Sequence, residues 1–392
     1  MPDRPESSKR IVLAANSSWN IVNFRGGLVR ALRKQGYEPV VVAPIDAAAE
    51  TRMEQLGVER IPVELDRSGL NPIADLRLLW VYRAALRRLA PAAFLGFTIK
   101  PNIYGCLAAQ MSGVPAIANV SGLGTVFMKQ SLLTRFVSGM YRVALRRAKA
   151  VMFQNREDLE LFVSSEIVRR EQARLLPGSG VDCDRFAPEP LPSGRPRFLL
   201  IGRLLGDKGV REYVDAARHV RSRHPEAVFQ LLGPIDEGNR TSIRPAELAS
   251  WVAEGVVQHL GIADDVRPFI AAASAIVLPS YREGLPRSLL EGAAMGRPLI
   301  AADVPGSRDV IEHGLNGLLC EARSAGALEG AIEAFIAMPA AEQRAMGLAG
   351  RALVERRFGE HRVIEAYLEV IRSLEADSRP RSGPSRQGFE AP

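Results

Sequence analysis

AIVLPSYREGLPRSLLE, residues 275–291, decides how the rest of the chain is read. Four apolar, partly β-branched residues stop at a Pro-Ser pair, as a buried parallel strand does at the edge of its sheet. A loop through Glu283-Gly284-Leu285-Pro286 follows, and an apolar period of three to four begins after it. The pattern predicts a helix over 287–295 with Pro286 at its first position, where a missing N–H costs nothing. Strand, glycine-bearing loop and helix N-terminus together make an anion site. The backbone at Gly284 and Leu285 can approach a ligand, and the helix end offers unpaired N–H groups and positive potential to a phosphate. Glu283 before the helix and Glu291 inside it can accept charge-assisted hydrogen bonds from sugar or ribose hydroxyls. Two glutamates eight apart are also common on solvated helices, so the surrounding sequence has to choose between these readings.

Outward from this stretch, short apolar runs alternate with longer helical patterns. In the second half strands are expected at 197–202, 228–232, 256–260, 275–278 and 299–302, and helices at 208–223, 245–254, 264–272, 287–295, 325–338, 341–356 and 360–374. The first half repeats the rhythm, with strands at 11–15, 40–43, 61–65, 92–97, 116–120 and 150–154. Its helices are expected near 26–36, 47–56, 72–89, 102–112, 130–148 and 156–163. Strands apolar throughout, alternating with helices, imply parallel sheets covered on both faces. The Pro/Gly-rich segment 177–196 reads as the connection between two such units. The division is therefore a first α/β domain over 1–185, a second over 186–358, a last helix over 359–376 and a Ser/Pro/Arg-rich disordered tail over 377–392. Two doubly wound domains place ligand where strand C-termini of both face one cleft.

Composition narrows the class. Of 392 residues, 47% are hydrophobic and 24% charged, enough apolar material for large cores and too much for a disordered chain. The opening MPDRPESSKR is polar, so no signal peptide is expected. Residues 101–128 carry no charge but are broken by Pro101, Asn102, Gln110, Pro115 and Asn119, which argues against a membrane span. Cys106, Cys183 and Cys320 are far apart and odd in number, fitting neither a disulfide framework nor a zinc site. Residues 1–190 hold 26 Lys and Arg against 18 Asp and Glu, while the remainder is close to neutral. Not one acid lies between Asp75 and Glu157. The first half therefore expects an anionic partner: a membrane surface, a phosphate-bearing substrate or nucleic acid.

Two further segments suit phosphate. In FLLIGRLLGDKG (198–209), Arg203 and Lys208 flank a turn leading from strand to helix, where cations can grip a diphosphate. Arg25-Gly26-Gly27 follows the first strand of the first half, and adjacent glycines at a helix start let amides approach an oxyanion. Each alone is weak, a solvated basic turn or a structural Gly-Gly turn being the bland alternative.

Taken in order, PSYREGLPRSLLEGAAMGRPLIAADVPGSRDVIEHGLNGLL, GRLLGDKG and PGSGVDCDRF resemble the donor-binding half of retaining glycosyltransferase family 4, whose architecture is the two-domain GT-B fold. FRGGLVRAL, DRSGLNP (66–72) and NVSGLGTVF (119–127) are similar to bacterial transferases that extend lipid-diphosphate-linked glycans, among them N-acetylgalactosaminyl and other hexosaminyl transferases. The resemblance spans about residues 10–375. It implies a last helix packing back on the first domain, a UDP-sugar donor and an undecaprenyl-diphosphate-linked acceptor. It further implies Glu283 at the donor sugar, Glu291 at the ribose, Arg203 and Lys208 on the diphosphate, and Gly26 and Gly27 on the first-domain side. Backbone around Leu260 and Gly261 would pair with uracil. No histidine precedes position 219, where many members carry one near the reacting carbon; Lys100, Asn119 and Ser121 occupy that neighbourhood. No Asp-x-Asp-like motif ends a strand, so neither metal nor other cofactor is expected, leaving-group charge falling to Arg203, Lys208 and helix dipoles. The implied location is cytoplasmic, peripheral on the inner face of the cell membrane. Within 130–149, Leu133, Phe136, Val137, Met140 and Ala144 are expected on one helix face and Arg135, Arg142, Arg146 and Lys149 opposite, for an anionic leaflet. The alternatives weighed are a GT-B-fold sugar-nucleotide 2-epimerase, disfavoured by the histidine-free first half, and a basic nucleic-acid-binding protein, for which no aromatic platform is evident.

Overall fold

A computed structural model describes residues 9–65, 71–123 and 132–378. The first domain runs β1 (Arg10–Ala14), α1 (Ser18–Phe24), α2 (Gly26–Lys34), β2 (Glu38–Ala43), α3 (Glu50–Leu56), β3 (Glu59–Pro62), α4 (Pro72–Leu89), β4 (Ala93–Phe97), α5 (Cys106–Ser112), β5 (Ala116–Val120), α6 (Leu132–Leu145), β6 (Ala150–Phe153), α7 (Arg156–Ser164) and β7 (Ala173–Leu175). One π-helical turn over Pro101–Gly105 leads into α5. The strands form one parallel sheet in the order β3-β2-β1-β4-β5-β6-β7. Because β4, β5 and β6 are covered on both sides, every one of their residues is buried.

The second domain runs β8 (Arg197–Ile201), α8 (Val210–Arg223), β9 (Val228–Leu232), α9 (Pro245–Ala253), β10 (Gln258–His259), α10 (Arg267–Ala272), β11 (Ala275–Leu278), α11 (Arg287–Ala294), β12 (Leu299–Ala302), α12 (Ser307–Val310), β13 (Gly317–Cys320), α13 (Ala325–Ala337) and α14 (Ala340–Arg357). Its parallel sheet is ordered β10-β9-β8-β11-β12-β13. The last helix, α15 (Glu360–Ser378), leaves this domain and buries Val363, Tyr367, Leu368, Ile371 and Leu374 in the first domain's core with α1–α3. The opposite face of that sheet is covered by α4 to α7.

In both sheets strand order reverses once, between β1 and β4 and between β8 and β11. Chains leave a reversal point in opposite directions, opening a crevice at the strand C-termini. The loops after β1, β4, β8 and β11 are therefore the ones placed to meet a ligand.

Several local expectations shift. Helix α1 was not anticipated; Ser17 caps it by accepting from the Asn20 amide at 3.2 Å. Strand β7 has three residues with Arg174 at its centre, and β13 has four that begin with Gly317, so neither stands out as an apolar run. The third strand lies two residues earlier than 61–65, and β10 keeps only two residues of 256–260. Pro286 is the N-cap of α11 rather than its first residue. Helix α15 continues to Ser378, past the expected end at 376. Parts of two quoted motifs, 66–70 and 124–127, and the tail beyond 378 lie outside the described residues.

Candidate active site

The loop from Pro279 to Pro286 is fixed by the strand before it and the helix after it. A Cβ placed on Gly292 in α11 would stand 2.5 Å from Ile276 Cγ1 of β11, so this glycine lets the helix lie against the sheet. Larger residues at such contacts cost about 1–3 kcal/mol. The adjoining Glu291 is thereby held at a set height above the sheet.

Loops after β8 and β11 are tied together. The Tyr281 amide donates to the Asp207 carbonyl at 2.9 Å, and Gly209 (φ +70°) approaches Pro279 so closely that a Cβ would meet its carbonyl oxygen at 2.2 Å. This brings Lys208 Nζ to 2.5 Å from Glu283 Oε1, both largely buried. The second cation takes a different partner: Arg203 pairs with Asp236 at 2.6 Å and is about half exposed at the rim. Of the residues expected to grip a diphosphate, only Lys208 is joined to the loop that carries Glu283. One turn into α11, Arg287 Nε lies 2.7 Å from Glu291 Oε1, with its guanidinium 5.3 Å from the centre of the Phe24 ring of α1. A carboxylate–cation pair thus flanks the loop on each side.

The expected backbone edge for a base is partly committed. The Leu260 amide donates to Leu231 at 2.9 Å, and the Gly261 carbonyl accepts from Gly233 at 2.8 Å. Gly261 has φ +74°, so the chain turns sharply here. Leu285 is buried, and its side chain fills the space over Gly178 in the connecting segment, where a Cβ would stand 2.4 Å from Leu285 Cδ2. Its side chain therefore packs against the connecting segment.

Gly284 is required for a reason the sequence does not show. A Cβ there would stand 2.2 Å from the Ser121 carbonyl oxygen at the end of β5. Its own carbonyl accepts from Asn155 Nδ2 at 2.9 Å. The two domains meet at this residue, supported by Arg282 paired with buried Asp158 and by Arg308 with Glu157 at 2.9 Å. Arg282, Arg308 and Glu157 border a cavity of about 590 Å³ between the domains.

The first-domain side is mostly amide and hydroxyl. Buried Asn119 donates to Tyr367 Oη of α15 at 2.8 Å and accepts from Ser121 Oγ at 2.6 Å; Asn102 donates to the Asn119 carbonyl at 2.7 Å. Arg25 is buried there, stacked 4.5 Å over Phe97, and reaches Asn119 Oδ1 at 3.4 Å; its Nε has no partner among the described residues. Burial pushes its guanidinium below the ordinary arginine range. Lys100 is tied to Asp75 at 2.6 Å, which also accepts from Tyr104 at 2.9 Å.

Of the glycine pair expected to receive a phosphate, Gly27 faces an internal carboxylate. A Cβ on Gly27 would stand 2.3 Å from Glu360 Oε1 at the start of α15, while Gly26 has only ordinary contacts with Arg30 and Leu56. Burial raises the Glu360 carboxyl, opposed by Arg287, Arg30 and Arg25 nearby. Arg25 enters the sequence reading only as the residue before Gly26 and Gly27, and Asn155, Arg287 and Glu360 are not singled out by it. Asn155 could have been found as the polar residue ending an apolar strand before an acidic helix start; Glu360 carries no local signal. Among the described residues, no group of three or more His, Cys, Asp or Glu is arranged to hold a metal.

Comparison with known proteins agrees with this geometry. A glycosyl transferase 4-like domain model matches residues 22–179, and a glycosyl transferases group 1 model matches 195–338. The Campylobacter jejuni N,N'-diacetylbacillosaminyl-diphospho-undecaprenol α-1,3-N-acetylgalactosaminyltransferase is 26% identical over 92% of this chain and 98% of its own. An Escherichia coli UDP-Gal:α-D-GlcNAc-diphosphoundecaprenol α-1,3-galactosyltransferase is 24% identical over 57% of this chain and 60% of its own. The Anabaena protein HepE, solved in complex with UDP and glucose, superposes with a TM-score of 0.78 at 18% identity, covering 93% of this chain and 99% of that one. With both domain models matched in order on two parallel α/β sheets, the chain belongs to glycosyltransferase family 4 and has the GT-B fold.

Proposed function

We propose that the enzyme moves a hexose or N-acetylhexosamine from a UDP-sugar to a sugar carried on a lipid diphosphate, with retention at the anomeric carbon and without metal or other cofactor. The observation that carries the reading is the pair of carboxylates, Glu283 and Glu291, each beside a cation and straddling the loop at the strand-order reversal. Glu291 accepts ribose hydroxyls, and Glu283 those of the donor sugar. Lys208 and the N-terminus of α11 stabilise charge developing on the departing diphosphate, the largest stabilising effect available to such a site. The acceptor hydroxyl attacks the face the diphosphate leaves, and a phosphate oxygen takes its proton. The acceptors for which the two bacterial relatives are named, both diphospho-undecaprenol-linked, support the acceptor class. A lipid-borne acceptor and a basic first domain support work as a peripheral protein at the inner face of the cell membrane; no described helix is long and apolar enough to cross it.

The test is a panel of UDP-sugars offered with diphosphoundecaprenol-linked monosaccharides, with UDP release and product mass followed together. Acceptor-dependent UDP release with a lipid product heavier by one sugar is expected. UDP release without acceptor, accompanied by a 2-epimeric sugar, would replace the transferase by the epimerase reading.

A further inference from the structure

The helices on one face of the first domain present apolar side chains on both of their own faces. Inward, α4 buries Leu78, Tyr82, Leu86 and Leu89, and α6 buries Val137, Tyr141, Ala144 and Leu145. Outward, α4 shows Ile73 (80% exposed), Leu76 (54%) and Trp80 (49%), one stripe at helical spacing, and α6 shows Leu132 (84%) and Phe136 (63%). A covering helix needs only the inward stripe, and isolated exposed apolar residues are normal, but an ordered stripe of large ones marks an interaction surface. These residues lie in the N-terminal halves of α4 and α6, the halves nearer the strand C-termini that form the cleft. Asp75 in the first turn of α4, bonded to Lys100 beyond β4, fixes α4 there.

Charge selects the partner. Arg77, Arg83, Arg87 and Arg135 belong to the same two helices, and no acid occurs from residue 76 to 156. Arg83 lies over the Trp80 ring at 4.9 Å. Among the described residues Arg77 has only a loose, exposed pairing with Glu64 at 3.9 Å, of little energetic weight. The expected face of residues 130–149 is corrected at the same time. Phe136 points outward rather than into the core, and Arg142 is spent on the Ser165 and Glu166 carbonyls after α7, at 2.7 and 3.0 Å.

We propose that the outer stripe of α4, with the first turns of α6, docks on an anionic lipid bilayer, Ile73, Leu76 and Trp80 entering the interfacial region and the flanking arginines meeting lipid phosphates. The proposal rests on the acceptor being lipid-borne and names the surface that brings the cleft to it. Aromatic and aliphatic side chains at the headgroup level, backed by arginine, suit a helix lying in the interface plane.

The experiment uses the full chain with vesicles of phosphatidylcholine, with or without phosphatidylglycerol, containing no sugar acceptor and no donor. Sedimentation with the anionic vesicles should exceed that with neutral ones at least about tenfold, and Leu76→Ser with Trp80→Ser should remove about tenfold of it. Brominated acyl chains should quench the wild type and lose that part of the quenching in Trp80→Phe, a variant that keeps the packing. Equal quenching in wild type and Trp80→Phe would overturn the proposal. So would a dimer in light scattering that the serine variant converts to monomer, because a second copy would then cover the stripe. Transfer to a water-soluble acceptor, measured on the same variants, should be unchanged; its absence in the wild type would count against the transferase reading and leave the vesicle result standing.

Discussion

On the second-domain side of the seam at Gly284, charge is held as pairs: Lys208 with Glu283, Arg287 with Glu291, Arg203 with Asp236. On the first-domain side, Asp158 and Glu157 pair across the seam with Arg282 and Arg308, but the groups behind them are Asn119, Ser121, Asn155 and Tyr367, and Arg25 sits among these stacked on a ring, with no carboxylate bound to it among the described residues. The two sides divide the work. Paired ions can exchange partners with a charged ligand, which is the task the proposed function gives the second domain toward a nucleotide diphosphate. A buried amide network loses its hydrogen bonds if it moves, so the first domain is equipped to hold a shape.

The strongest way to break this comparison is Lys208→Ala. Removing a preorganised charge next to the leaving group should lower kcat/KM at least about a hundredfold, with a melting loss of no more than a few degrees from leaving Glu283 unpaired. A melting loss with intact turnover would make Lys208 a structural partner of Glu283 only. Gly284→Ala should come next, at about tenfold or more. Its Cβ cannot fit beside the Ser121 carbonyl, so the seam opens, and small-angle scattering should show a larger radius of gyration. Arg203→Ala sharpens the contrast within the second domain: standing at the solvent-screened rim, it should cost roughly tenfold or less in donor KM.

Smallest is Glu360→Gln, which probes the first-domain side through stability. The folded-state pKa of Glu360 is raised, chiefly by burial. A raised carboxyl binds its proton more tightly when folded, so its contribution to stability falls as pH rises above the ordinary carboxylate range. Neutral glutamine removes that loss. The variant should melt a few degrees higher than wild type near neutral pH, and the difference should close at pH values below the ordinary range. A lower melting temperature at neutral pH would show that Glu360 serves as the counter-ion of Arg25 and Arg287.

Much of this was legible in the sequence, and the part that was not has a common cause. Strand–loop–helix units such as 275–295 announce themselves because apolar run, glycine and helical period are adjacent in the chain. The positions of Glu283, Lys208 and Glu291 followed from them. What escaped depends on the other domain: Gly284 answers to Ser121, Leu285 to Gly178, Gly27 to Glu360, at separations in sequence where no pattern reaches. Phe136 was placed on one face with buried Val137 and Ala144 for the same reason, since helical period shows that a side chain is apolar and leaves open which face has a neighbour.

The account depends most on the order of contacts along the donor, ribose at Glu291 and sugar at Glu283. Titration of UDP, which lacks the sugar, into Glu291→Ala and Glu283→Ala separates them. UDP affinity should fall about ten- to hundredfold in Glu291→Ala, as expected for a lost charge-assisted bond, and stay near wild type in Glu283→Ala while its turnover collapses. Wild-type UDP affinity in Glu291→Ala, or loss of UDP binding in Glu283→Ala, would contradict it.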